Sequence, residues 1–169
     1  MQKTKDKQEI YELSCKYARG LDRLDSKLFR SVFFDDAFCE YGFFNGNPDE
    51  FTDFCMNALK EHESNHHMIG NVLIEIKDKE AFGEVYFNAY HKVKNDEGEF
   101  EDIIIAGRYI DRYKKRQGQW KFIYRSELVD WSRTQLTKDS YFDSDLSIGC
   151  RRGGRQNDPL YDKEKMKKG

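Results

Sequence analysis

Ser64-Asn65-His66-His67-Met68-Ile69-Gly70-Asn71-Val72-Leu73-Ile74-Glu75-Ile76 opens the half of the chain in which apolar residues stop recurring at helical spacing and alternate instead. Four strand-forming runs follow one another from here, at 65–76, 81–93, 101–114 and 120–131. Short polar turns separate them: Lys77-Asp78-Lys79, Asn95-Asp96-Glu97-Gly98 and Arg116-Gln117-Gly118. Connections that short join antiparallel neighbours, so this half reads as an antiparallel meander.

Upstream the period is helical. Ile10, Leu13, Tyr17 and Leu21 share one face of a helix over 6–21, and Gly20 is expected to loosen its end, which leaves Asp22 where the helix finishes. Asp25-Ser26 signals the N-cap of a short second helix carrying Leu28, Phe29, Val32 and Phe33, halted by Asp35-Asp36. A strand with Phe38 and Tyr41 follows. Asn47-Pro48-Asp49 then supplies a cap, an N1 proline and an acidic first turn for a third helix through Phe51, Phe54, Cys55, Ala58 and Leu59. Helices followed by a run of long strands is an α+β order. The expected fold is a cone-shaped, curved antiparallel sheet covered on its concave face by three N-terminal helices, with a pocket at the open end. Residues 6–133 form that domain, and periodicity fades into an extended C-terminal tail, 134–169.

Composition narrows the function classes. A chain of 169 residues with one patterned stretch is one domain, large enough to bury about two thirds of its unfolded surface. With 13 Phe, 10 Tyr and 2 Trp, the core and any apolar cavity are built from rings. The net charge of −2, from 29 Lys and Arg against 31 Asp and Glu, gives no global attraction to nucleic acid or membrane, and neither partner is expected. Basic residues gather in the tail, at Arg151-Arg152-Gly153-Gly154-Arg155 and over 163–168, where such runs are usually mobile and solvated. Cys15, Cys39, Cys55 and Cys150 show no metal-ligand spacing, and the N-terminus is polar rather than signal-like. Reduced thiols, a cytoplasmic location, no metal and no cofactor are expected.

Asp22 and His67 are the residues most suited to chemistry. A carboxylate that fixes an imidazole tautomer and stabilises the imidazolium lets the other ring nitrogen take a proton from carbon, with no metal or cofactor. Against this, an Asp in such a place commonly caps a helix or begins a turn. The alternation that puts Val72, Ile74 and Ile76 on one face leaves His67 in register with Asn71 on the other, unless a bulge near Gly70 reconciles the two or both faces are partly buried. His66 is the competing histidine if the register is shifted. His91 shares an alternation with Val85, Phe87 and Ala89 and points inward, as a pocket imidazole or as a satisfied core histidine. His62 falls in the last turn of the third helix, where an imidazolium suits the dipole, and is assigned no chemistry. Tyr17 lies on the apolar stripe of the first helix and its hydroxyl needs a partner. Tyr41, Tyr109, Tyr113 and Trp131 are by default sheet packing. Arg108 and Arg125 are mid-strand charges that need carboxylates such as Asp111, Glu127 or Asp130; alternatively, Arg108 anchors a substrate carboxylate.

Tyr17-x4-Asp22, Asp35-Asp36-Ala37 before a strand, His67-x3-Asn71, and Gly107-Arg108-Tyr109-x-Asp111-Arg112-Tyr113 leading to Gly118-x-Trp120 occur in that order. In this ordered set the chain, over 8–133, resembles the SnoaL-like branch of the nuclear transport factor 2-like superfamily. Within the branch it is most similar to scytalone dehydratase, lindane dehydrochlorinase and bile-acid 7α-dehydratase, enzymes of elimination on apolar rings whose Asp/His dyad matches Asp22 and His67. Tyr17 and Tyr41 match pocket tyrosines of two of these. Ala89 stands about where the bile-acid enzyme has a pocket aspartate, and the place of its late-strand arginine falls near Asp130.

The resemblance implies a cofactor-independent lyase or isomerase, of dehydratase type, acting on a hydrophobic small-molecule substrate such as a steroid, aromatic or polyketide-derived ring. Asp22, His67 and Tyr17 would be catalytic; Tyr41, Asn71, His91 and Arg108 would bind substrate. The alternative is a non-catalytic small-molecule-binding or subunit-assembly module of the same fold. The strands carry a second apolar alternation at Ile104, Ala106 and Ile110, so a homodimer or homotrimer is expected.

Overall fold

Helix α1 (Gln2–Arg23) buries Ile10, Leu13, Tyr17 and Leu21 along one stripe. It continues past Gly20 and ends at Leu24, whose φ of 51° is left-handed. Gly20 does not loosen the helix. A side chain there would meet the Phe29 backbone at 2.8 Å, so this glycine lets helix α2 (Ser26–Ser31) lie directly against α1. Asp25 caps α2 by accepting from the Leu28 N–H at 2.9 Å. The helix stops before Asp35-Asp36, because strand β1 (Phe33–Glu40) has already begun at Phe33. There Phe33, Ala37 and Cys39 turn inward while Asp35 and Asp36 face solvent and pair with Arg30 and Arg116. After the short strand β2 (Asn45–Gly46), helix α3 (Pro48–Leu59) starts as its sequence dictates, Asn47 accepting from the N–H groups of Asp49 and Glu50 at 3.0 Å. The computed structural model describes residues 1–155 and 157–166, with Lys165 and Met166 described by their backbone alone.

The sheet has the order β2-β1-β6-β5-β4-β3 and is curved and unclosed. Strands β3 (Ser64–Lys77), β4 (Glu80–Lys94), β5 (Phe100–Arg116) and β6 (Gln119–Leu136) form the antiparallel meander. The sheet as a whole is mixed, because β1 pairs with β6 in parallel. Nothing in the pattern of β1 names its neighbour. Helices α1, α2 and α3 lie on the concave face.

Bulges re-aim the strands. One falls between Ile69 and Val72, at Gly70-Asn71, and lets His67 and Ile69 share the inner side with Val72, Ile74 and Ile76. On β6, Ile123 and Asp130 are the extra residues. The first turns both Phe122 and Arg125 inward. The second sits where Gly107 approaches the Leu128 carbonyl so closely that a Cβ would lie 2.1 Å from its oxygen.

The core is built from rings: Tyr17, Phe29, Phe33, Phe51, Tyr109, Tyr113 and Phe122 are all nearly inaccessible, and burial of each such side chain contributes about 1.5–3 kcal/mol. Polar ties pin the hairpin tip to the helix layer. Asp6 of α1 accepts from Trp120 Nε1 at 2.9 Å and from Lys115 Nζ at 2.5 Å. Those bonds from Lys115 and Trp120 hold its carboxyl at about 2. The group binds its proton less readily folded than unfolded, so its contribution is complete above the ordinary carboxylate range and is lost as pH falls towards about 2. Thermal melts of wild type and Asp6→Asn should therefore differ at neutral pH and converge in acid. A gap that persists unchanged at the acid end would show that Asp6 stabilises without its charge.

Strand β6 continues beyond Arg133 to Leu136, and the chain beyond it docks on the domain. Asp139 pairs with Lys92, and Arg152 with Glu63. The Arg155 guanidinium donates to the carbonyls of Leu59, Lys60 and His62, closing the end of α3. Arg23 donates to Gly154 O at 2.7 Å, and Tyr161 donates to Asp25 Oδ2 at 3.0 Å. Arg155 is thus bound to the body, while Arg152 meets the body only in an exposed ion pair and stays solvated; the basic run at 163–168 extends past the described residues at Lys167 and Lys168. Among the described residues no helix is long and apolar enough to cross a membrane.

Candidate active site

Asp22 is the next-to-last residue of α1 and is buried, although no helix partner needs its carboxylate. Its oxygens turn instead to β3. Both accept from the backbone N–H of His67 at 3.0 Å, and Oδ1 meets His67 Nδ1 at 2.7 Å. A carboxylate only accepts, so Nδ1 carries a proton, and in the neutral ring it is Nε2 that bears the lone pair. The double tie holds the imidazole plane as well as its tautomer. Both side chains are over nine-tenths buried, conditions in which a charge-assisted hydrogen bond is strong.

A second layer surrounds the dyad. Asn65 pairs with His91 across β3 and β4, and His67 pairs with Ala89, so His67 and His91 are diagonal neighbours on the inner face. Their rings meet edge to face at 5.2 Å between centroids. His62 meets the other side of His91 in the same way, also at 5.2 Å. His62 is not in α3, which ends at Leu59, and the turn that follows carries it into this cluster. Asn65 Oδ1 lies 2.7 Å from His62 Nδ1 and 2.9 Å from His91 Nδ1. Burial, then the neighbouring His67 and His62, push His91 down to about 3, so it is neutral.

Glu127 completes the inner face on β6, opposite Tyr109. Burial raises its carboxyl above the ordinary value, opposed by His67 and Arg125. Its charge bears on Tyr41 and Tyr109 as well. The Tyr17 and Tyr41 hydroxyls form a buried pair at 2.8 Å. Burial is the main cause holding both phenols well above their ordinary value, so they act as hydrogen-bond donors and not as phenolates. One hydroxyl donates to the other, which leaves one proton of the pair free to donate.

The remaining candidates lie elsewhere. Asn71 is exposed in the β3 bulge, away from His67. Arg108 is on the convex face, bound to Asp130 at 2.9 Å and to Glu84 at 3.0 Å. His66 is exposed opposite Tyr90. Three further groups at the site were assigned no chemistry from the sequence. Asn65, His62 and Glu127 carried no motif, although Asn65 shares the His67 alternation and Glu127 follows the inward Arg125 by two residues. Among the described residues no group of three or more His, Cys, Asp or Glu side chains is arranged to hold a metal ion.

The model of the SnoaL-like domain family matches residues 2–126, and the chain belongs to that family. No curated protein matches it in sequence. Among solved structures it is similar to a type 2 hexachlorocyclohexane dehydrochlorinase, LinA, with a TM-score of 0.72 and 21% identity over 79% of this chain and 91% of that one. A scytalone dehydratase-like protein from Novosphingobium aromaticivorans gives 0.70 and 21%, over 82% and 94%. The Kfla4162 protein from Kribbella flavida gives 0.70 and 16%, over 77% and 94%. At these identities the likeness establishes the fold.

Proposed function

We propose that this SnoaL-like protein is a cofactor-independent lyase or isomerase that works by elimination on a hydrophobic ring compound, with the Asp22–His67 dyad as its general base. The observation that carries the reading is the 2.7 Å contact between Asp22 Oδ1 and His67 Nδ1, reinforced by the backbone bonds to the same carboxylate. Two structural neighbours whose names denote dehydrochlorination and dehydration lend it support. In the step proposed, His67 Nε2 takes a proton from a ring carbon, and the C–H electron pair forms the new double bond as hydroxide or halide leaves the adjacent carbon. Asp22 balances the imidazolium. The free proton of the Tyr17–Tyr41 pair donates a hydrogen bond to a carbonyl or to the departing oxygen. Asp22, His67 and Tyr17 are thus the catalytic residues, and Tyr41 and His91 line the ligand. Asn71 and Arg108 have no part in it.

The deciding experiment identifies the ligand that co-purifies with the protein by mass spectrometry and follows its conversion. An elimination or isomerisation product formed by wild type and missing with His67→Ala supports the reading. A ligand bound and never converted would make the domain a binding module instead.

We further propose that copies of the chain meet through the convex face of the sheet, as a homodimer or homotrimer. Leu73 and Phe82 are at least half exposed there and border a depression of about 620 Å³ with Ile110 and Tyr124. Light scattering at micromolar concentration should give a multiple of the chain mass, reduced to the monomer by Phe82→Glu; a monomeric wild type refutes the contact.

A further inference from the structure

Asp22 makes the only hydrogen bonds between α1 and β3 among the described residues. It sits in the last turn of its helix, where ends fray most readily, and His67 is the fourth residue of a strand entered by the turn 60–63. The tail joins these two segments from outside. Arg23, next to Asp22, donates from Nη1 to Gly154 O at 2.7 Å. The residue after Gly154, Arg155, donates from Nη1 to Lys60 O at 2.9 Å, from Nη2 to Leu59 O at 3.2 Å and from the same nitrogen to His62 O. Two consecutive residues thus hold the end of α1 and the turn into β3 at once. Leu59 O carries the tie inward, because Asn65 Nδ2 donates to it as well, at 3.4 Å. Asp158 braces the pair: its carboxylate accepts from the N–H groups of Gly154 at 2.9 Å and Leu160 at 3.0 Å and faces Arg23 Nε at 3.8 Å. Those backbone bonds, from Leu160 and then Gly154, hold the carboxyl below its ordinary value, so it meets Arg23 as a charge. Tyr161 anchors the far side, its hydroxyl donating to Asp25 and its ring lying under the Arg19 guanidinium, 5.2 Å from the ring centre. All of this lies beyond residue 126, where the match to the family ends.

We propose that Gly154 and Arg155 form a clasp that positions the dyad: by fixing the end of α1 against the turn into β3 it sets the 2.7 Å contact of Asp22 with His67, and its release loosens that contact while the rest of the domain stays folded. Arg155 is a positioning residue in this arrangement, since it makes no hydrogen bond to either side chain of the dyad. The inference rests on the proposed function for what the Asp22–His67 contact does, and not for whether the clasp sets it. Gly154, Arg155 and Asp158 are only partly buried, so water competes for each of their bonds and the clasp opens more easily than the ring core. The geometry of the base is thereby tied to the tail. Release of the tail then weakens the base without unfolding the sheet that carries it.

The test reads the dyad by NMR in the full-length, ¹⁵N-labelled protein. Wild type should show a low-field His67 Nδ1 proton, the mark of its bond to the carboxylate, and slow exchange of the His67 backbone N–H. Arg155→Met removes the donors of the clasp and should abolish the low-field signal and speed exchange of that N–H, with the far-ultraviolet circular dichroism unchanged. Arg155→Lys keeps a charged donor for the same carbonyls and should retain the signal. Arg152→Met breaks an exposed ion pair outside the clasp and should leave the signal as in wild type. A low-field proton that persists in Arg155→Met overturns the clasp. If that variant does not fold, wild type alone decides through native-state hydrogen exchange in low denaturant, where the N–H groups of Gly154 and His67 should be released in one opening. Exchange of Gly154 while His67 stays protected up to global unfolding overturns the proposal equally. Neither readout uses turnover, so failure of the dyad as a base would show separately, as activity retained by His67→Ala.

Discussion

His67→Ala and Asp22→Asn are each expected to abolish turnover of an identified substrate, with apolar-ligand binding and the fold left nearly intact. Removing a positioned proton-transfer group costs about 10²–10⁴-fold in rate. The two variants fail for different reasons. His67→Ala removes the base. Asp22→Asn keeps an oxygen able to accept from the His67 backbone N–H, yet offers an amide N–H to Nδ1 where a carboxylate oxygen stood. The imidazole then turns to the Nε2–H tautomer, in which the atom facing the substrate is already protonated. The charge that balances the imidazolium is lost as well. Because the two residues act as a unit, the double variant should be little slower than His67→Ala alone. Stopped or steady-state kinetics on the purified variants check this. Wild-type turnover by His67→Ala would place the base elsewhere, and His91 would be tested next.

The pairing of Asp22 with His67 was legible from the family resemblance, and the local patterns carried it only in part. The stripe Ile10, Leu13, Tyr17, Leu21 fixes the rotation of α1 and so the direction of Asp22, whereas alternation along β3 leaves the side of His67 open. The strand pattern conflicted with itself at Gly70, and the bulge there resolves it. Other features depend on contacts between distant parts of the chain. No glycine or proline follows Leu59 to stop α3; its last carbonyls are satisfied by Arg155 from the tail. Without that bond in view, His62 counts as a helix residue and drops out of the site. The inward turn of Arg125 depends on the extra residue Ile123 in β6, which leaves no mark on the alternation that a reader could separate from noise. The parallel pairing of β1 with β6 is likewise a tertiary fact.

Breaking the Arg125–Asp111 pair is expected to have the largest effect on stability. Arg125 is wholly buried, its Nε and one Nη donating to the two Asp111 oxygens at 2.8 Å. Ser14 Oγ accepts a further bond from that Nη at 3.2 Å, and Tyr113 donates to Asp111 at 2.7 Å. The guanidinium carbon lies 4.1–4.3 Å from the ring centres of Phe122, Tyr109 and Tyr17, so its unpartnered Nη1 is enclosed among aromatic rings. Burial opposes the charge, but the facing Asp111 more than offsets it, and the group stays a cation. Asp111→Asn therefore leaves a buried charge that cannot neutralise itself, at a cost of about 3–5 kcal/mol, or a fall in Tm of roughly 10 °C for a chain of this size. Arg125→Met should cost less, since an unpaired aspartate can take up a proton. The double variant Arg125→Met/Asp111→Asn removes both charges while keeping an acceptor for Tyr113, and should recover much of the loss. Thermal melts of the three variants give the order; equal damage in all three would mean that packing, not the uncompensated cation, sets the cost. The same double variant removes the cation that stacks on Tyr17, whose hydroxyl meets Tyr41. If it folds and binds ligand but loses rate, Arg125 orients the tyrosine pair in addition to holding the core, and its burial serves the site as well as the fold.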